Sequence, residues 1–155
     1  MPSRIDARLA DLRIELPSPT PPAANYVPYV QTGGLIFVAG QICQWNGERR
    51  YLGKLGREFD VEQGQLAARL CGLNILAHLR HALHGDLDRV ARCVRLGGFV
   101  NCTPDFIDQP LVVNGASDLM VEVFRDMGKH ARAAVGVNAL PGGVAVEIDA
   151  VFEVQ

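Results

Sequence analysis

From Val144 to the end of the chain, apolar and polar positions alternate strictly. Val144, Val146, Ile148, Ala150, Phe152 and Val154 share one face, and Ala145, Glu147, Asp149, Val151 and Glu153 share the other. A period of two is that of a half-buried strand. Just before it, Leu140-Pro141-Gly142-Gly143 joins a residue that presets φ to two that accept positive φ, so the chain should reverse there. Residues Lys129–Gln155 therefore predict a β-hairpin, with Arg132 near the start of its first strand and Glu147 in its second. If Ala139 pairs with Val144, Gly136 lies opposite Glu147 and Arg132 opposite Val151. The two charged residues are then four positions apart on one face, roughly 13 Å at strand rise.

Elsewhere the period changes. Ser3–Leu16 reads as a helix capped by Ser3, with Ile5, Leu9, Leu12 and Leu16 at helical spacing. Pro17–Pro22 ends it and acts as a stiff linker. Asn25–Gln31 and Leu35–Ala39 read as strands joined at Thr32-Gly33-Gly34, and the polar, glycine-bearing stretch Gln44–Gly56 reads as a loop. A long helix is expected over Val61–Leu83, with Leu66, Leu70, Leu73 and Leu76 as its apolar stripe, extended by alanines. A strand follows over Leu87–Val100, then a turn at Asp105–Gln109. A second helix over Leu111–Asp126 stops at Met127-Gly128. The order ββ-α-β-α-ββ lacks the regular repeat of a doubly wound sheet and predicts an α+β fold. The expectation is one domain over residues 1–155, with 1–22 as an N-terminal helical extension and proline-rich linker.

Composition narrows the function. Of 155 residues 48% are hydrophobic and 21% charged, and the net charge of −2 comes without a polybasic run, which argues against nucleic acid as a partner. No apolar stretch has membrane-spanning length, and Met1–Leu16 is too charged for a secretory leader, so a cytoplasmic protein is expected. Cys43, Cys71, Cys93 and Cys102 form no C-x-x-C pair; Cys71 and Cys93, among small apolar neighbours, read as buried free thiols. His78, His81 and His84 recur every third residue but lack acidic partners. They complement a helix C-terminus rather than bind metal, and no metal is expected. Cys43 and Cys102 have no neighbouring base, Ser117 has no G-x-S-x-G frame, and Gly53–Gly56 lacks the frame of a phosphate loop. Trp45 and Tyr51 either rim a pocket or cover core.

Arg132 differs from these. Ala131, Ala133, Ala134 and Gly136 leave open space around its guanidinium, which suits a small carboxylate as well as it suits a salt bridge. Glu147 stands between Ala145 and Asp149, where a solvated strand residue would fit equally. His130, two residues from Arg132, faces either a pocket or solvent.

Motif order adds to this. The stretch HARAAVGVNALPGGVAVEIDAVFEV is similar to the C-terminal signature of the YjgF-like reactive-intermediate deaminase (Rid) family, also labelled endoribonuclease L-PSP. NYVPYVQTGGLIFVAGQI (25–42) and GDLDRVARCVRLGGFVN (85–101) resemble its other segments in order and spacing, so the likeness covers roughly residues 20–155, in a longer branch with an N-terminal extension. It implies a chorismate-mutase-like (YjgF-like) fold, a mixed sheet packed on two helices, assembled as a trimeric barrel with clefts between subunits. It also implies hydrolysis of reactive 2-imino acids, of the 2-aminoacrylate type, to 2-oxo acids and ammonia, with no cofactor. Arg132 matches the arginine that grips the substrate carboxylate, and Glu147 the glutamate that positions water. Tyr26, Gly40 and Asn114 match substrate-binding positions, and His130 joins them by its place beside Arg132. Ala39 stands where many members have serine, Ala134 where the short prototype has cysteine, and His130 where proline is common. A protein that binds small carboxylate metabolites without turnover is the alternative. Endoribonuclease activity is disfavoured by the missing basic surface and paired histidines.

Overall fold

A computed structural model describes residues 2–22 and 24–155; Met1 and Ala23 of the expected N-terminal extension and its junction lie outside the described residues. The secondary structure comprises α1 (Arg4–Asp11), β1 (Tyr29–Thr32), β2 (Leu35–Ile42), β3 (Gln44–Trp45), β4 (Glu48–Arg49), α2 (Val61–Ala82), β5 (Val90–Asn101), α3 (Gln109–Phe124), β6 (Ala131–Val137) and β7 (Val146–Val154). Five strands make one sheet in the order β1-β2-β7-β5-β6, and β3 and β4 form a separate two-stranded hairpin. The α+β assignment holds, with α2 against β2 and β7 and α3 against β5 and β6.

The predicted C-terminal hairpin does not form. The chain reverses at Pro141–Gly143, where Gly142 and Gly143 adopt positive φ, but β5 lies between the two strands. It pairs in parallel with β6 and antiparallel with β7. Alternation assigns faces within a strand and is silent about neighbours. Here α3 serves as the crossover that a parallel β5–β6 pair requires. The face assignment itself is correct. Val146, Ile148, Ala150, Phe152 and Val154 are buried beneath the helices, while Glu147, Asp149, Val151 and Glu153 look to the open side.

Other differences have local causes. Of the leucine row expected on α2, Leu70 and Leu76 are buried and Leu73 partly so, but Leu66 is 51% exposed; Ala67, Ala68, Cys71, Ile75 and Leu79 are buried beside them. The reason is a second packing partner. A Cβ on Gly115 of α3 would overlap the Gln65 backbone carbonyl, and one on Gly72 would meet Leu119 at 2.9 Å. The two helices therefore approach through small residues, and α2 turns that side inward. The Gln44–Gly56 stretch holds the β3–β4 hairpin and is pinned to the core by bridges from Leu52 to Val144 and from Leu55 to Cys102. Trp45 and Tyr51 both pack against that core.

The first helix is shorter than its hydrophobic spacing suggests, because Arg13 takes φ 56°. Ser3 caps it as expected, accepting from the Asp6 amide at 3.0 Å. Ile5 and Leu9 enter the main core. The proline-rich stretch is laid on the domain rather than spanning a gap. Pro17 is buried, the Ser18 amide donates to Asn46 Oδ1 at 2.8 Å, and Gln44 Nε2 donates to Thr20 Oγ1 at 2.9 Å.

All four cysteines are free and buried. Burial pushes the Cys93 thiol up to about 12, whereas donation from Cys71 holds Cys43 down at about 7. Among the described residues no helix is long and apolar enough to cross a membrane.

Candidate functional site

The structure gathers the sequence-predicted residues into two groups. The first surrounds Arg132. Its Nη1 donates to Asn114 Oδ1 at 2.8 Å and to Ser117 Oγ at 3.1 Å, and its Nη2 to the Pro110 carbonyl at 3.1 Å. Pro110, Asn114 and Ser117 stand at i, i+4 and i+7, one stripe of α3 that faces the edge strand β6. His130 completes the group. Its Nδ1 lies 2.7 Å from the Gly128 carbonyl, which can only accept, so Nδ1 carries the proton. In the neutral ring Nε2 then accepts from the Ser117 hydroxyl at 2.9 Å, leaving that oxygen to accept from Arg132.

A guanidinium has five N–H donors. Three are used here, so the Nε–H and one Nη2–H have no protein acceptor among the described residues. The plane is thus held on one side and open on the other, the arrangement a carboxylate can meet with two parallel hydrogen bonds. Ser117, which lacks the frame of a nucleophile, instead supports the Arg132 guanidinium. The i, i+4, i+7 spacing was the signal that could have revealed it as a support for Arg132.

The second group surrounds Glu147. Thr20, Pro21, Pro22, Tyr26, Gly40, Arg49, Pro141 and Glu147 are among the residues lining a cleft of about 460 Å³. Strand β2 bulges between Val38 and Gln41, which puts Gly40 against Glu147, where a Cβ would overlap the carboxylate. Glu147 is half-buried, and burial first, then the charge of Asp149, raises its carboxyl above the ordinary glutamate range. A carboxylate raised in this way is a stronger proton acceptor than a solvated one, which suits a group that takes a proton and returns it. Asp149 is itself paired with Arg95 at 3.4 Å. Thr20, Pro22 and Arg49 come from the segments whose sequence reads as linker and loop, and carry no motif or periodicity that marks them.

The two groups do not meet within one chain. Register pairs Arg132 with Leu96 and Leu96 with Ala150, all on the helix side. Glu147 pairs with Phe99 and Ile42 on the open side. The two residues are therefore on opposite faces, two strands and three positions apart, about 14 Å between Cα positions by strand spacing and rise. The expectation that they share one face of a hairpin is thus corrected, because it assumed they were neighbours in one sheet ladder. The histidines of α2 also diverge: His81 Nδ1 meets the Tyr29 hydroxyl at 2.8 Å, while His78 is buried and its pKa lowered by burial.

Residues 6–146 match the family described as YjgF/chorismate mutase-like, putative endoribonuclease. The chain belongs to this YjgF-like family. It is 47% identical over 153 residues to Protein TCP17 of Trypanosoma cruzi, covering 98% of this chain and 95% of that one. It is 32% identical to a putative endoribonuclease from Shewanella oneidensis MR-1, with a TM-score of 0.93 over 97% of this chain and 99% of the other. Escherichia coli TdcF, solved with bound serine, is 25% identical with a TM-score of 0.60, over 90% of this chain and 93% of that one. The YjgF-like architecture thus extends over nearly the whole chain, including α1.

Proposed function

We propose that this protein is a deaminase of reactive 2-imino acids that acts as a homotrimer, each site formed between two copies. The observation that carries the reading is an open-sided guanidinium at Arg132 and, on the opposite face of the sheet, a carboxyl of raised pKa at Glu147; in this reading a second copy brings the two together. The open face supports assembly. It presents Val30, Phe37 and Val135, each 46–53% exposed, with Phe99 and Val151 beside them.

In this reading a neighbouring copy's Arg132 grips the substrate carboxylate with its two uncommitted N–H groups. Glu147 holds a water and takes its proton as the oxygen bonds to the imine carbon. The nitrogen gains that proton to give a carbinolamine; Glu147 then passes the hydroxyl proton to the nitrogen as the C=O bond forms and the C–N bond breaks, releasing a 2-oxo acid and ammonia. The Gly40 carbonyl accepts from the substrate nitrogen, and the Tyr26 hydroxyl bonds to the nitrogen or the carboxylate. No cofactor is needed, because the imine carbon is already electrophilic. The test is to generate 2-iminobutanoate and 2-iminopropanoate in a cuvette and follow 2-oxo acid and ammonia release against the spontaneous rate. Acceleration is expected; none on any imino acid would overturn the reading.

The alternative, a binding protein for small carboxylates, has support in TdcF, which was solved with serine. It predicts Arg132-dependent binding of 2-oxo acids without turnover.

A further inference from the structure

Arg49 lies on β4. It and Glu147 are the only charged residues lining the 460 Å³ cleft among the described residues. Most arginines nearby are committed. Arg50 lies 6.0 Å from the Trp45 ring centroid, Arg95 pairs with Asp149, and Arg57 pairs with Glu58. Among the described residues Arg49 has neither a carboxylate partner nor a hydrogen-bond acceptor. Its guanidinium lies over Gly142, where a Cβ would overlap it, so the glycine at the Pro141–Gly143 turn leaves room for the cation.

The platform beneath Arg49 is fixed. Strand β4 pairs Arg49 with Gln44 of β3. Buried Asn74 of α2 donates to the Gln44 carbonyl at 2.7 Å and to the Leu70 carbonyl at 2.9 Å. On the other side Gln44 Nε2 holds Thr20, which also lines the cleft. Arg49 is thus an exposed, unpaired cation on a pinned hairpin at the lining of the cleft, where its planar fork can meet an anion.

From these observations we infer that Arg49 binds a second anionic group, and that the substrate is a dianion: a 2-imino acid with a distal carboxylate. This deepens the proposed function and rests on its cleft. The neighbouring copy's Arg132 takes the carboxylate beside the imine, Glu147 works at the imine carbon, and Arg49 takes the far end. Arg49 is a specificity-determining residue here, remote from the bonds that change.

The experiment is calorimetric titration of the assembled protein with 2-oxoglutarate and with 2-oxobutanoate, stable products that differ by the distal carboxylate. The wild type should bind 2-oxoglutarate roughly ten- to hundredfold more tightly, as one charge-assisted contact allows. Arg49→Gln should erase that preference and leave 2-oxobutanoate affinity unchanged, and Arg49→Lys should restore part of it. Equal affinities in the wild type, a preference that survives Arg49→Gln, or binding of neither acid would overturn the inference. So would loss of assembly in Arg49→Gln by light scattering, because Arg49 would then be an intersubunit contact. Turnover of 2-iminobutanoate is measured separately. Its absence beside an intact Arg49-dependent preference removes the deaminase reading alone, and its presence without the preference removes this inference alone.

Discussion

Arg132 spends three donors on α3 and keeps two, so its removal should affect ligand and fold differently. Arg132→Ala should cut imine deamination on the order of a hundredfold, equivalent to about 3 kcal/mol of transition-state binding, while circular dichroism stays native. Arg132→Lys should not restore the rate, because an ammonium cannot hold Asn114, Ser117 and the Pro110 carbonyl while presenting a planar fork. Glu147 gives a second residue-scale expectation. Burial and Asp149 raise its carboxyl, so activity should fall on the acid side as that carboxyl takes a proton. Asp149→Asn removes the repelling charge and frees Arg95, so the acid limb of the rate profile should move to lower pH. An unmoved limb would exclude Glu147 as its source. The same shift affects stability. A carboxyl whose folded pKa exceeds its unfolded value binds more protons when folded, so stability is greatest below the unfolded value and falls as pH rises through the folded one. Glu147→Gln should therefore show a slightly higher melting temperature than wild type at pH 8, with the difference vanishing at pH 4.

At the scale of elements, the close approach of α2 and α3 depends on glycine. Gly115→Ala would place a methyl group in the Gln65 backbone. It should lower stability by about 1–3 kcal/mol, read as a lower urea midpoint with an unchanged slope. The N-terminal helix is held by more than its apolar face. Asp88 accepts from the Arg4 and Ile5 amides at 2.9 and 2.8 Å, Asp6 pairs with Arg80 at 3.2 Å, and Arg8 donates to the Glu122 carbonyl at 2.9 Å. Ile5 and Leu9 are 7% and 5% exposed. Deleting residues 1–17 should leave a folded, active protein that is weaker by about 3–5 kcal/mol, as two buried aliphatic side chains imply. Failure of the truncated chain to fold would make α1 part of the obligate core.

For the whole molecule, the proposed trimer follows from a sheet whose second face is uncovered. Phe37 and Val151 pair directly across β2 and β7, and Val135 flanks Phe99 at the other side. Light scattering at micromolar protein should give three times the chain mass. Phe37→Asp, a charge in the middle of that face, should yield monomer and lose activity although the Glu147 cleft is intact. A monomeric, active wild type would sink the shared-site reading.

The hydrophobic pattern by itself determined which residues turn inward along β7, where the two long helices lie, and where the chain reverses at Pro141–Gly143. These are local properties, set by a period of two or 3.6 and by the φ preferences of proline and glycine. Motif order added the YjgF-like family and, through it, Arg132 and Glu147. Pairing was beyond its reach. β5 enters between β6 and β7 because α3 returns the chain in parallel, a choice made by packing between segments far apart in sequence. That choice puts Arg132 on the helix side, held by a stripe of α3, and Glu147 on the open side against Gly40. Only the tertiary structure also brought Thr20, Arg49 and Pro141 to one cleft, because the contacts that hold the proline-rich stretch to the β3–β4 hairpin are single hydrogen bonds that leave no periodic trace.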